Sequence, residues 1–486
     1  VFYQRPWLGG KWSVRDAIEY MLTADFAILD LASARTEHFL HKAWDLARAA
    51  MDAGRAGNPY AYIAAPEQWD SSSAVEMLRR LQMSGVEVRR AATSFTAAGK
   101  SYPAGTHVML AGQPFRAYLM DLMEPQKYPE IRAGTTGPTK RPYDIAGWTL
   151  RMQMGVAIDR IDSAFEANLE LVSEVPRPTP SLDHRDTSSF VAIADLLKKR
   201  QRAGWGYDGK ILTGDLAGAA WELKQPRLAI YEPWSPNMDG GWTQWVFDAY
   251  QIPYTALRNG EIQKGRLRER FDTIVFASQN SAGILHGIRP GQDGGGGRGG
   301  ASGGGGIRLV QRPEYTGGIA VPGLAQIDEF VRSGGTLIAL DSATELPVEF
   351  FPLGVRSLLR SSGTGEASAE GYYCPGSILR ITVDTTHPIA FGMPKEAFAF
   401  SQGGQAFEIS DSTRARSIAR YAAKDLLASG WLSGERAVLG RHILVEADHG
   451  QGRVILFGFR PQFRGQTFGT FRLLLNAIYL GSARKL

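Results

Sequence analysis

The reactive side chains of this sequence are few. It holds one cysteine, Cys374, and eight histidines. A single thiol excludes an internal disulfide framework and any zinc site built from several cysteines. Cys374 lies in Gly371-Tyr372-Tyr373-Cys374-Pro375-Gly376. A nucleophile on a sharp strand-to-helix turn needs small neighbours, as in G-x-C-x-G. Here proline follows and no helix begins, so Cys374 reads as a structural thiol. The topologically suitable turn is Asp341-Ser342-Ala343-Thr344-Glu345, which lacks the glycines of such an elbow. Ser342 is therefore a weak candidate nucleophile, and Asp341 is expected to cap the next segment.

Metal chemistry has little to work with. A peptidase-type zinc site needs two ligands on one short segment, as His-x-x-Glu or His-Glu-x-x-His, and neither occurs. His38 and His41 are three apart, so a helix would place them on one face. They could hold zinc with a third ligand, but Glu37 and Lys42 beside them fit a solvated edge. His442 and His449 flank a strand candidate, 443–446, and their spacing of seven puts them on opposite sides of a pleat. No resident metal or cofactor is expected in this chain.

Binding chemistry concentrates in two loops. One carries Glu232, Trp234, Asp239 and Trp242, the other Arg460, Gln462 and Arg464. Both follow buried-strand patterns, and open parallel sheets bind ligands at the carboxyl ends of their strands. If the two strands are neighbours, Glu232, Asp239, Arg460 and Arg464 would line one crevice for a peptide or small polar ligand. The competing reading is a salt-bridged, aromatic-packed rim.

Several elements must position these loops. Strand patterns at 227–231, 273–277, 336–340 and 453–457 alternate with helical patterns at 242–250, 324–331 and 467–479. That alternation predicts a doubly wound parallel sheet over 226–486. The run 291–306 interrupts it with 11 glycines. Its composition fits a disordered surface insert. It holds one arginine, Arg298, too little for an RNA-binding box.

Upstream, 58–165 reads as a small α/β unit. It has a strand in Tyr60–Pro66, a helix at 74–83, a strand at 86–88, a hairpin over 95–110 and a helix at 115–123. Residues 166–225 read as a proline-rich linker and a helix at 190–202. The first 57 residues are helical: Ser13 and Asp16 make a capping-box pattern. Val14, Ile18, Met21, Leu22, Phe26 and Leu29 then form an apolar stripe. A second stripe runs through Phe39, Ala43, Trp44, Leu46 and Ala47, and both are expected to pack.

Composition limits the function classes. Of 486 residues, 44% are apolar, and 54 basic against 49 acidic residues leave a net charge of only +5. No long Lys/Arg block occurs, so nucleic-acid binding is not expected. No apolar run reaches the roughly 18 residues of a membrane span.

Several stretches resemble one family in order. Pro6-Trp7-Leu8-Gly9-Gly10-Lys11-Trp12-Ser13-Val14-Arg15-Asp16 is similar to the segment after the catalytic core of large bacterial zinc carboxypeptidase-like proteins. So are Pro59-Tyr60-Ala61-Tyr62, Tyr102-Pro103-Ala104-Gly105-Thr106 and 142–150. The stretch 452–464 resembles the close of their amidotransferase-like C-terminal domain. The resemblance implies a multidomain α/β chain with an N-terminal helical tail of a peptidase domain. It implies that the zinc ligands, the catalytic glutamate and the signal peptide precede Val1. The parent would then be a secreted or periplasmic metallopeptidase, and this chain its non-catalytic accessory part, partnered by its own upstream domain. The alternative is a stand-alone module that binds a small polar ligand at the strand-end loops.

Overall fold

The computed structural model describes residues 10–287 except 130, 133, 135, 136, 138 and 236, together with 315–359 and 371–486. The glycine-rich run 291–306 and residues Pro6–Gly9 of the first resembling segment lie outside the described residues.

Two helices open the chain, α1 (Val14–Ala34) and α2 (Thr36–Arg55), with Arg35 alone between them. The Ser13 capping box forms: Asp16 Oδ2 accepts the Ser13 N–H at 2.7 Å, and Ser13 Oγ accepts the Asp16 N–H at 3.4 Å. The expected packed face does not. No residue of α1 is buried, and of α2 only Gly54. Met21 is 66% exposed and Phe26 67%. The two helices form an arm, attached where Gly54 meets the backbone of Ala111 so closely that a Cβ would lie 2.1 Å from its carbonyl oxygen.

The small domain follows. Its strands are β1 (Ala61–Ala64), β2 (Arg89–Ala91), β3 (His107–Leu110), β4 (Asp159–Ile161) and β5 (Leu169–Leu171), ordered β4-β1-β3-β2-β5. Helix α3 (Ser71–Met83) joins β1 to β2. The β-α-β pattern nevertheless makes no parallel pair, because β3 inserts between those strands and every pairing is antiparallel. The expected strand at 86–88 begins instead at Arg89, with Val86 and Val88 buried on the approach. Met77, Leu78 and Leu81 of α3 cover Tyr62 and Met109 on one face of the sheet. Phe95 and Tyr102, from the short hairpin, cover Ile63 and Val108 on the other. The weakly patterned stretch before residue 226 forms strands at Ala203–Trp205, Ile211–Thr213 and Trp221–Leu223, and Arg484–Lys485 completes their sheet.

The large domain contains β6 (Leu228–Tyr231), α4 (Met238–Ala249), β7 (Tyr254–Leu257), β8 (Thr273–Phe276), α5 (Ala320–Arg332) and β9 (Thr336–Leu340). After them come β10 (Ser377–Val383), β11 (Glu396–Ser401), β12 (Ala415–Tyr421), β13 (His442–His449), β14 (Gly452–Phe457) and α6 (Phe468–Ser482). The strands are ordered β7-β6-β8-β9-β14-β13-β12-β10-β11. The first five are parallel, in the second-first-third-fourth-fifth order of an open doubly wound sheet. Alternate side chains feed opposite cores. Leu228, Ile230, Val275, Ile338 and Ile455 meet Val246 and Phe247 of α4 and Leu474 and Ile478 of α6. Ala229, Ile274, Leu337 and Val454 meet Ile327 and Phe330 of α5. The doubly wound parallel sheet ends at β14, which pairs antiparallel with β13 and continues into an antiparallel half.

Candidate functional site

Four neighbouring parallel strands, β6, β8, β9 and β14, deliver their following loops to one edge of the sheet. β6 and β14 are not adjacent, as the crevice expectation required; β8 and β9 lie between them. The gap is bridged from the middle. Asp341, the first residue after β9, has φ +50 and is 2% exposed. A left-handed backbone at a non-glycine residue is uncommon, and it turns the side chain off the strand line.

Two donors share the Asp341 Oδ2 atom: Arg460 Nε at 2.9 Å and Ser278 Oγ, from the loop after β8, at 2.9 Å. Arg460 Nη1 reaches Asp239 Oδ2, in the first turn of α4, at 3.5 Å. It also donates to Gln402 Oε1 at 3.3 Å, from the residue after β11. Both halves of the sheet therefore converge on one guanidinium. Burial works against its charge, but the Asp341 and Asp239 carboxylates outweigh that and hold its pKa above the usual arginine range.

The carboxylate of Asp341 does not cap the next turn, as expected from sequence. Its carbonyl serves there, accepting the Thr344 hydroxyl at 2.6 Å. Of the seven candidate residues, Asp239 and Arg460 come together as an ion pair. Glu232 pairs instead with Arg258 Nη2 at 3.1 Å, and that guanidinium lies 4.2 Å from the Trp234 ring centroid. Trp242 packs edge-on to Trp245 at 6.1 Å. Gln462 is fully buried and donates to Thr243 Oγ1 at 2.9 Å. Arg464 is exposed and stacks 5.2 Å over Phe463. Sequence reasoning missed Ser278 and Gln402, and it gave Asp341 another role. The available signal was position: Ser278 and Asp341 each follow a fully apolar strand run.

Cys374 is buried, its Sγ donates to the Ser401 carbonyl at 3.1 Å, and burial pushes its thiol up to about 11. Such a thiol is not a nucleophile near neutral pH. His41 lies on an exposed helix face with Asp45 at 3.0 Å. His449 Nε2 meets Asp328 at 2.5 Å, while burial and then Arg420 and Arg441 bring His442 down to about 4. Among the described residues, no three His, Cys, Asp or Glu side chains converge as a metal ion requires. These residues do not fit a zinc ion.

No protein-family model matches the chain, and no curated protein matches it. Some solved structures resemble about half of it. A protein described as ThuA-like from Bacteroides uniformis is 12% identical with a TM-score of 0.31, over 52% of this chain and 91% of that one. PurLQS from Thermotoga maritima is 14% identical with a TM-score of 0.30, over 52% and 98%. A β-galactosidase from Bacillus circulans sp. alkalophilus is 11% identical with a TM-score of 0.27, over 51% and 30%. Likenesses this remote carry no weight for function, and the α/β assignment rests on the strand order.

Proposed function

We propose that the doubly wound domain binds a small polar ligand at its strand ends and does no covalent chemistry there. The supporting observation is Asp341 at the strained turn, already ion-paired to Arg460 and accepting the Ser278 hydroxyl. Its Oδ2 already accepts from a guanidinium and a hydroxyl, so that oxygen is engaged in holding the site together. Asp239, Asp341 and Arg460 together carry one excess negative charge, so the site favours ligands rich in O–H or N–H donors. The test is calorimetric titration of the chain with glucose, glucosamine, ethanolamine and acetate. Binding of a sugar or amine that weakens tenfold or more in a folded Asp239→Asn variant supports the reading. Absence of binding by the sugars and the amine, or affinity unchanged in Asp239→Asn, overturns it.

A second reading is favoured by the arm, whose exposed apolar side chains include Ile18, Phe26, Phe39 and Trp44. We propose that the arm packs on a zinc carboxypeptidase-like domain of a longer, exported polypeptide. Peptide hydrolysis and the zinc would belong to that domain, and this chain would be its accessory portion. Upstream DNA encoding His-x-x-Glu in frame is the expected result, and a stop codon or unrelated sequence there sinks the reading.

A further inference from the structure

A cavity of about 230 Å³ opens where the small domain, the linker and the large domain meet. At about 30 Å³ per water, this is room for a small organic molecule rather than a single solvent. Trp69, Arg151, Arg185, Phe398, Phe468 and Arg472 are among its lining residues.

Arg472 is the unusual member. It lies on α6, is 4% exposed, and makes one side-chain hydrogen bond, from Nη2 to Thr187 Oγ1 at 3.5 Å. Among the described residues no carboxylate lies within ion-pair distance of it. Buried arginines ordinarily have such a partner. The nearby acids are committed elsewhere. Asp70 Oδ1 accepts the Ser73 N–H at 3.0 Å and the Ser72 hydroxyl at 2.9 Å. Its Oδ2 accepts both the N–H and the hydroxyl of Thr187. Those four bonds cap α3 and pin the linker, and Asp186 Oδ1 accepts the Ser188 N–H at 2.9 Å, so Asp70 and Asp186 act on the guanidinium through space without an ion-pair contact. Asp183 is taken by Arg185 at 2.8 Å.

The rest of the wall defines the remainder of a ligand. Trp69, Phe398 and Phe468 supply aromatic surface, and Met152, Met154 and Met393 add deformable apolar surface. The negative charges of Asp70 and Glu396, also in the wall, disfavour a dianion. An arginine fork matches a carboxylate bidentately. We propose that this cavity binds a small organic monocarboxylate, its carboxylate on Arg472 and its apolar body against Trp69, Phe398 and Phe468. Such a ligand would touch the small domain, the linker and α6 at once.

The test titrates the full chain with benzoate, benzamide and inorganic phosphate, read by calorimetry and tryptophan fluorescence. Saturable benzoate binding with a Kd below about 1 mM is expected. Benzamide and phosphate should each bind at least tenfold more weakly. Arg472→Gln should weaken benzoate tenfold or more. Should that variant fail to fold, Ala157→Leu, at an exposed position of the wall, should fill the cavity and weaken benzoate similarly. The proposal is overturned by any of three results: no saturable benzoate binding, benzamide or phosphate binding as tightly as benzoate, or benzoate affinity unchanged in the folded variants.

Discussion

Two buried charge clusters sit in one sheet, and they are built differently. In the antiparallel half, Glu446 is 4% exposed on β13. It accepts from His387 Nε2 at 3.0 Å and Arg453 Nη1 at 2.9 Å, with Arg416 Nη1 at 3.8 Å. Strand register delivers the two arginines, while His387 comes from the loop after β10: Arg416 is the cross-strand neighbour of Glu446 on β12, and Arg453 sits two residues before Ile455, the neighbour of Glu446 on β14. In the parallel half, Asp341 and Arg460 come from loops 119 residues apart, and Asp341 needs a left-handed backbone. Register can place a charge network inside a sheet without strain. A network at strand ends requires strain and loop closure, and it stands where parallel sheets open to ligands. The first cluster therefore reads as scaffold and the second as a site.

Replacing Arg460 with methionine should test that contrast most severely. It leaves Asp341 as a buried carboxylate without its cation, an expected loss of about 3–5 kcal/mol in urea unfolding at pH 7. A loss below about 1 kcal/mol would mean that the strand-end cluster is solvated and open.

Glu446→Gln should cost less, about 3 kcal/mol, and the cost should depend on pH. Burial raises the Glu446 carboxyl, but the His387 hydrogen bond and the Arg453 charge outweigh it and bring the pKa to about 2, from 4.5. At about 1.4 kcal/mol per pKa unit, that is the stated magnitude. A depressed carboxylate stabilises fully above its unfolded pKa and loses that contribution as pH falls towards 2. The variant's deficit should therefore shrink between about pH 5 and pH 2. A deficit constant with pH would show that packing, not charge, is lost. Ser278→Ala comes next, at about 1 kcal/mol, because it removes one hydrogen bond from a carboxylate that keeps Arg460.

The parallel half was legible in sequence because its strands are buried on both faces. Leu228–Tyr231, Thr273–Phe276 and Thr336–Leu340 read as near-continuous apolar runs. The antiparallel half mixes charge into its strands, as in Ser-Ile-Leu-Arg-Ile-Thr-Val of β10 and Ala-Arg-Ser-Ile-Ala-Arg-Tyr of β12, and only 443–446, within β13, reads as a strand there. Arg380 donates to the Asp425 and Leu427 carbonyls, and Arg416 reaches Asp448 and Glu446, partners that local pattern does not encode. The small sheet has strands of three or four residues, too short for periodicity to fix pairing. At the site, residue types and strand-end positions singled out Asp239 and Arg460. The pairing of Arg460 with Asp341 is set by the fold, not by spacing.

The smallest expected effect concerns the arm. Helices α1 and α3 carry similar apolar stripes, yet α3 buries Met77, Leu78 and Leu81 while α1 buries nothing. Periodicity reports that a helix has an apolar face; it does not report what lies opposite. Phe26→Ser removes a side chain that is 67% exposed. Little burial is lost, so the change in unfolding free energy of this chain should stay within about 0.5 kcal/mol. The same substitution in α3, Leu78→Ser, should cost several times more, because Leu78 is 2% exposed in the core beneath the sheet. If Phe26→Ser destabilised the isolated chain by more than about 1 kcal/mol, in a manner that faded on dilution, the arm would be buried against a second copy, and the reading that reserves it for a peptidase domain would fall.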